Sequence, residues 1–217
     1  MHSLSFLGKR LRKCPTGVEV NYSNFAVSIL VVSPMISMLQ VSSFEKPGRL
    51  FIAYDRNQFI LDNQEAFRYG AMEEFGLRDD HYEEDGEIIS RKTIEESIDR
   101  GLAFRIVADG EVVGGLVVRI NGTRGDLDLL FVSPKSHSKG IGYAAWYAVE
   151  AMFPEVEIWE TCTPYFEKRN IHFYVNRCGF HIVEFFHRFH PDPNDPAPEM
   201  DDDSDGMFRF EKVIRKG

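Results

Sequence analysis

Cysteine is scarce in this chain, and the little there is does not pair. Cys14, Cys162 and Cys178 are three in 217 residues. An odd number at such wide spacing argues against a disulfide framework and offers no metal-ligand pair, which points to reduced thiols in a cytoplasmic protein. Positive charge is in deficit too: 25 Lys and Arg stand against 34 Asp and Glu, a formal net charge of −9. Phosphate would be repelled over most of such a surface, so nucleic-acid binding is not expected, whereas a cationic or amine-bearing partner is. A long unbroken apolar run is also missing. The nearest approach, "FAVSILVVSPMISML", lies in an uncharged stretch from Asn21 to Phe44 and is interrupted by Pro34. It is short for a membrane span, and with Lys9, Arg10, Arg12 and Lys13 ahead of it, it reads as the apolar part of a signal or interfacial segment. The expectation is that residues 1–40 are an N-terminal extension, disordered or foreign to the native fold, ahead of one domain at 45–217. A membrane partner is not expected, and a dimer is left open.

What is present is enough apolar sequence, 43% of residues, for one sizeable core. "RLFIAYDR" (49–56) reads as a first strand, and "QEAFRYGAMEEFG" as a helix with Phe67, Ala71 and Phe75 on one stripe. A second helix is expected over 91–100, then two strands turning at Asp109-Gly110. "GDLDLLFV" (125–132) begins as an alternating strand and ends continuously apolar. From Gly140 the period changes: Ile141, Ala144, Ala145, Ala148, Val149 and Met152 mark a helix. "VEIWET" is the next strand, and Thr163-Pro164 reads as the cap and first position of a helix that Gly179 ends. "FHIVEFF" and "MFRFEKVI" are strands on either side of a Pro- and Asp-rich loop at 190–206. The fold class is mixed α/β, with both hairpins and strand-helix-strand crossovers.

"HSKGIG" (137–142) places two glycines and a lysine at the mouth of the alanine-rich helix. Glycine there lets backbone N–H groups approach an anion. Gly140 to Ala145 also satisfies G-x-G-x-x-A, with Glu160 about twenty residues on, as a dinucleotide fold would have it. Seven residues between Val132 and Gly140, and a hairpin upstream, argue against that fold, in which the first glycine follows its strand almost at once.

"LDLLFVSPKSHSKGIGYAAW" and "RNIHFYVNRCGF" together resemble two successive motifs of the GNAT N-acetyltransferase superfamily, over roughly residues 50–214. His137 stands where that family usually has Gln or Arg. The resemblance implies a mixed, mostly antiparallel sheet that splays between its fourth and fifth strands, "LDLLFV" and "VEIWET", with flanking helices. It implies that the opening receives the pantetheine arm of acetyl-coenzyme A along the backbone of Phe131 and Val132. Backbone N–H groups from Ser138, Lys139, Gly140, Ile141, Gly142 and Tyr143 would hold the diphosphate, with His137 donating as well. Asn170 and Phe173 would lie beside the cofactor.

Acetyl transfer to an amine needs a neutral amine, donors at the carbonyl and a proton for the departing thiolate. The resemblance gives the last role to Tyr174, whose alternative is ordinary core packing. Asp126 and Asp128 share a strand face, and Glu160 lies on the neighbouring strand; each is a candidate base or simply a surface carboxylate. Glu73 and Glu74 read as a solvated helix face or part of an acceptor pocket. His187 and His190 lack a second ligand pair, so no metal is expected. The function expected is N-acetyl transfer from acetyl-coenzyme A to a small amine or peptide amine, by direct attack in a ternary complex. The alternative is a non-catalytic acyl-coenzyme A sensor or interaction module of the same fold.

Overall fold

Asp109 and Gly110 both take positive φ, 52° and 84°, the conformation that closes a two-residue hairpin with the twist of its strands. They join β4 (Leu102–Ala108) to β5 (Glu111–Asn121), and β6 (Arg124–Val132) folds back on β5 in turn. In the computed structural model, described at residues 13–14, 17–22, 25–31, 52–75, 83, 86–137, 139–193 and 206–214, these strands form the middle of a larger sheet. The remaining strands are β1 (Lys13–Cys14), β2 (Gly17–Tyr22), β3 (Phe25–Val31), β7 (Ile158–Pro164), β8 (His181–Phe186) and β9 (Met207–Val213). Their order is β1-β2-β3-β4-β5-β6-β7-β9-β8. Every neighbouring pair is antiparallel except β6–β7.

Helices cover both faces. On one lie α1 (Ile52–Phe75) and α2 (Arg91–Arg100), whose Phe59, Ile60, Ile94 and Ile98 pack on Val117, Leu129 and Phe131. Each such fully buried large apolar side chain stabilises by about 1.5–3 kcal/mol. Ser90 caps α2, its Oγ accepting from Thr93 N at 3.0 Å. On the other face α3 (Ile141–Met152) presses its alanines against the sheet and sets Trp146 edge-on to Trp159, ring centres 5.1 Å apart. A short α4 (Lys168–His172) runs into a π-helical turn at Phe173–Cys178, which Gly179 ends at φ 80°.

Three sequence expectations are corrected. The segment 49–56, read as a strand, is helical from Ile52, because the stripe that buries Phe59, Ile60, Asn63 and Ala66 continues the helical period upstream of Phe67. Thr163-Pro164 does not open a helix: both residues end β7, paired with Phe208 and Met207, and pairing with β9 overrides the local proline signal. Within the expected extension, β2 and β3 hydrogen-bond to each other and β3 pairs with β4 from Val27↔Ala108 to Val31↔Phe104, while α3 packs against β2 and β3. The loop at 194–205 lies outside the described residues. No helix among the described residues is long and apolar enough to cross a membrane.

Candidate functional site

β6 and β7 pair at three positions only, Arg124↔Ile158, Gly125↔Trp159 and Asp126↔Glu160, and then part. Two features accompany the opening. A register shift opposite Val117/Val118 leaves Asp128 without a cross-strand partner, a bulge that bends β6. One pair before the strands part, Gly125 lies under the Trp159 ring, where a Cβ would overlap the ring carbons. Just beyond, Thr161 Oγ1 donates to Leu127 O at 2.8 Å across the start of the gap.

The C-terminal end of β6 meets the start of α3. Gly140 is the helix N-cap at φ 75°, with no side-chain cap and no acidic residue in the first turn. The first amides of α3 therefore have no capping side chain, and the helix dipole adds to their pull on an anion. A Cβ on Gly140 would meet open space, whereas one on Gly142 would reach ordinary contact with Phe173 and Val132 at 3.6 and 3.7 Å. Val132, Gly142 and Phe173 thus converge at the mouth of the opening. Lys139 is exposed beside them, Ile141 is buried and anchors the helix start, and the half-buried Tyr143 ring lies under Arg177 at 5.5 Å. Such a set of uncapped amides with an adjacent lysine suits a diphosphate. Ser138 lies outside the described residues.

His137 is placed differently from expectation. Its Nε2 lies 2.8 Å from Val132 O, its Nδ1 2.9 Å from Arg169 Nη2, and the Tyr69 ring packs edge-on at 5.4 Å. Both ring nitrogens are thus engaged within the chain, and neither faces a phosphate as a spare donor. Phe131 also departs from expectation: its carbonyl abuts Gly114 of β5 and its ring packs on Phe59 at 5.0 Å, so Val132 alone of the two presents a carbonyl toward His137. Asn170 Nδ2 donates to Thr163 Oγ1 at 3.3 Å.

Tyr174 is 8% exposed, its ring among Phe173, Phe180 and Phe210. Burial pushes its phenol up to about 12, opposed by a hydrogen bond with Thr161. The hydroxyl therefore stays protonated through the neutral range, beside the residue that spans the gap.

The carboxylates gather on the opposite face. Arg119 Nη2 contacts Asp126 Oδ2 at 2.6 Å and Asp128 Oδ1 at 3.2 Å, and Ser97 Oγ donates to Asp128 Oδ2 at 2.5 Å. Desolvation raises the Asp126 carboxyl above its ordinary range; Arg119 opposes this, and Asp128 and Glu160 add to it. Glu160 is held by Arg124 and, at 3.1 Å, by Arg209. Cys162 follows on β7, its thiol pushed up to about 12 by desolvation and then by Asp126 and Asp192. The side chains of Glu73 and Glu74 lie outside the described set. Missed by sequence reasoning were Arg119, Thr161 and Arg169, each made relevant by a partner on another element.

The Acetyltransferase (GNAT) family matches residues 62–180. The chain is 46% identical over 173 residues, 75% of its length and 90% of the other's, to the uncharacterized protein YrkN of Bacillus subtilis (strain 168). Among solved structures it is similar to the PaiA N-acetyltransferase of Thermoplasma acidophilum in complex with coenzyme A, at TM-score 0.54 and 19% identity, over 74% of this chain and 94% of that one. It is similar also to a GNAT family acetyltransferase of Elizabethkingia anophelis with acetyl-CoA bound, at TM-score 0.51 and 14% identity, over 87% of this chain and 98% of the other. The mixed sheet opening at β6–β7, the glycine-started helix beside it and these likenesses agree, and the chain belongs to the GNAT acetyltransferase family.

Proposed function

We infer that this protein moves the acetyl group of acetyl-coenzyme A to a primary amine by direct attack in a ternary complex. One juxtaposition carries the reading: the sheet opens after Asp126↔Glu160, and the uncapped start of α3 stands at the far end of that opening, against Val132. The amides of Ile141, Gly142 and Tyr143, with Lys139, are the groups that would hold the diphosphate; Val132, Asn170 and Phe173 would line the pantetheine arm. Bound acetyl-coenzyme A supplies an activated thioester carbonyl.

The chain's own residues supply the proton traffic. An alkylamine near pKa ~10.4 arrives mostly protonated and must lose that proton before it attacks. Asp126, with its raised proton affinity, takes it directly or through water. Tyr174 keeps its proton until about pH 12 and gives it to the departing sulfur. Cys162 remains a thiol over the same range, which disfavours a covalent carrier and a ping-pong route. The reduced cysteines support a cytoplasmic setting.

The decisive assay offers acetyl-coenzyme A with polyamines, amino acids, aminoglycosides and peptides, and identifies products by mass spectrometry. An acetylated amine formed with stoichiometric free thiol is the expected result. Tight cofactor binding without any acetylated product across the panel would point instead to a sensor or interaction module.

A further inference from the structure

We propose that Arg169 is a positioning residue for the loop that opens α3, and that it acts through His137. The proposal stands on what the two partners of the imidazole can and cannot do. A guanidinium has only donors, so His137 Nδ1, 2.9 Å from Arg169 Nη2, must accept. A carbonyl has only lone pairs, so Nε2, 2.8 Å from Val132 O, must carry the hydrogen. Together they admit one form of the ring, the neutral Nε2–H tautomer. The other tautomer would turn an N–H toward the guanidinium and a lone pair toward the carbonyl, and both bonds would be lost.

The tie has a place in the fold. Val132 is the last residue of β6, and His137 lies three residues before Gly140, the N-cap of α3. The bond from Nε2 closes the loop back onto its own strand, while Arg169 brings in α4 and the Tyr69 ring, 5.4 Å away, brings in α1. Ser133 N donates to Val113 O of β5 at 2.7 Å, and the bonds beyond it are local, Ser136 N to Ser133 O at 2.8 Å and His137 N to Pro134 O at 3.3 Å. The imidazole adds a side-chain tie from the end of that turn back to the last residue of β6. Val132 O keeps a second lone pair, so the tie is compatible with a ligand amide at the same carbonyl. Together with the buried Ile141, Arg169 thus helps to fix where the amides of α3 stand. The consequence for coenzyme A, though not the tie itself, rests on the function inferred above.

Two measurements separate these levels. In the cofactor-free full chain, 15N spectra of histidine-labelled protein should show His137 with a bare Nδ1 and a protonated Nε2, assigned by difference from His137→Leu. Arg169→Met should move the bare Nδ1 resonance to its position without a hydrogen bond while Nε2 stays protonated against Val132 O, and Arg169→Lys, which restores a donor, should bring it back. Calorimetry with coenzyme A should show Arg169→Met and His137→Leu each weakening binding about tenfold, the worth of one charge-assisted bond. KM for acetyl-coenzyme A should follow with kcat at saturation retained. His137→Gln, which carries both a donor and an acceptor, should bind like the wild type. The double variant Arg169→Met/His137→Leu should be no weaker than either single one. Additive losses would overturn the proposal, because Arg169 would then contact the cofactor itself. An Nδ1 resonance unchanged in Arg169→Met would overturn it as well. A wild-type protein that shows the tautomer but binds no coenzyme A would sustain the tie and refute the cofactor reading.

Discussion

The two faces of the sheet treat charge in opposite ways beside the same opening. Toward α3, β7 turns Trp159, Thr161 and Thr163 inward, and the Tyr174 phenol lies among the aromatics there. Toward the other face the same strand turns Glu160 and Cys162, joined by Asp126, Asp128 and Glu211 and by Arg119, Arg124 and Arg209. Burial acts on both faces with one sign, favouring the protonated form of an acid, yet the result differs. The phenol is pushed beyond reach of deprotonation; the Asp126 carboxyl is lifted only from its low range, with Arg119 holding it back. On the function proposed above, one face would keep a proton to give and the other would offer a site to take one.

The largest effect should come from removing the donor. Tyr174→Phe is expected to lower turnover by ~10² to ~10⁴ while the affinity for acetyl-coenzyme A stays within a small factor, since the ring and its packing remain. Loss of the Thr161 partner should lower stability by about 1 kcal/mol. Unchanged turnover at saturating substrates would return Tyr174 to a packing role.

Next in size is the anion end. Gly140→Asp places a carboxylate at an N-cap where φ is 75° and a phosphate is expected, and calorimetry should show coenzyme A binding weakened by at least about 10²-fold. Gly142→Ala is the control, its methyl reaching only ordinary contact with Phe173 and Val132. Wild-type affinity in Gly140→Asp would reject the cradle.

A change of similar size tests the acceptor face. Asp126 is active as a base only when ionised, so kcat/KM should fall as pH drops through its raised pKa, at a pH above the ordinary carboxylate range. Asp126→Asn should remove that limb and lower the plateau by at least about 10²-fold. A limb that persists in the variant belongs to another group. The same shift has a sign for stability: the folded state favours the protonated carboxyl, so this contribution is present at low pH and is lost as pH rises through the folded pKa.

The smallest effect on the chemistry should come from the far edge. Deleting residues 1–37 removes β3 from β4 and two strands from the side of α3, so the melting temperature should fall while turnover per folded molecule is retained. A truncated protein that melts like the full chain would restore the reading of that segment as an extension outside the domain.

These contrasts follow how the chain disclosed itself. The strand at 124–132, the helix from Ile141 and the turn at Asp109-Gly110 were legible because each is written in a local period or a turn pair. The opening between β6 and β7 came from resemblance, since what accompanies it, a bulge and a tryptophan over a glycine, is visible only when strands are paired. His137 was singled out by position, but its partners were not, because Arg169 lies 32 residues away on another helix. Asp126 and Asp128 were placed on one face by alternation, whereas the Arg119 that binds both comes from the preceding strand through the register of the β5–β6 hairpin. Ile52 to Arg56 misled because a short apolar run has no period of its own until the stripe behind it is counted.

The glycine under Trp159 has a mechanical consequence. β6 and β7 behave as two arms joined near one end, with Gly125 and the Trp159 ring as the pin between them. A methyl group at residue 125 would overlap the ring carbons, so it would act as a shim where the arms are joined. The closeness of the two strands at that end thus depends on an absent side chain.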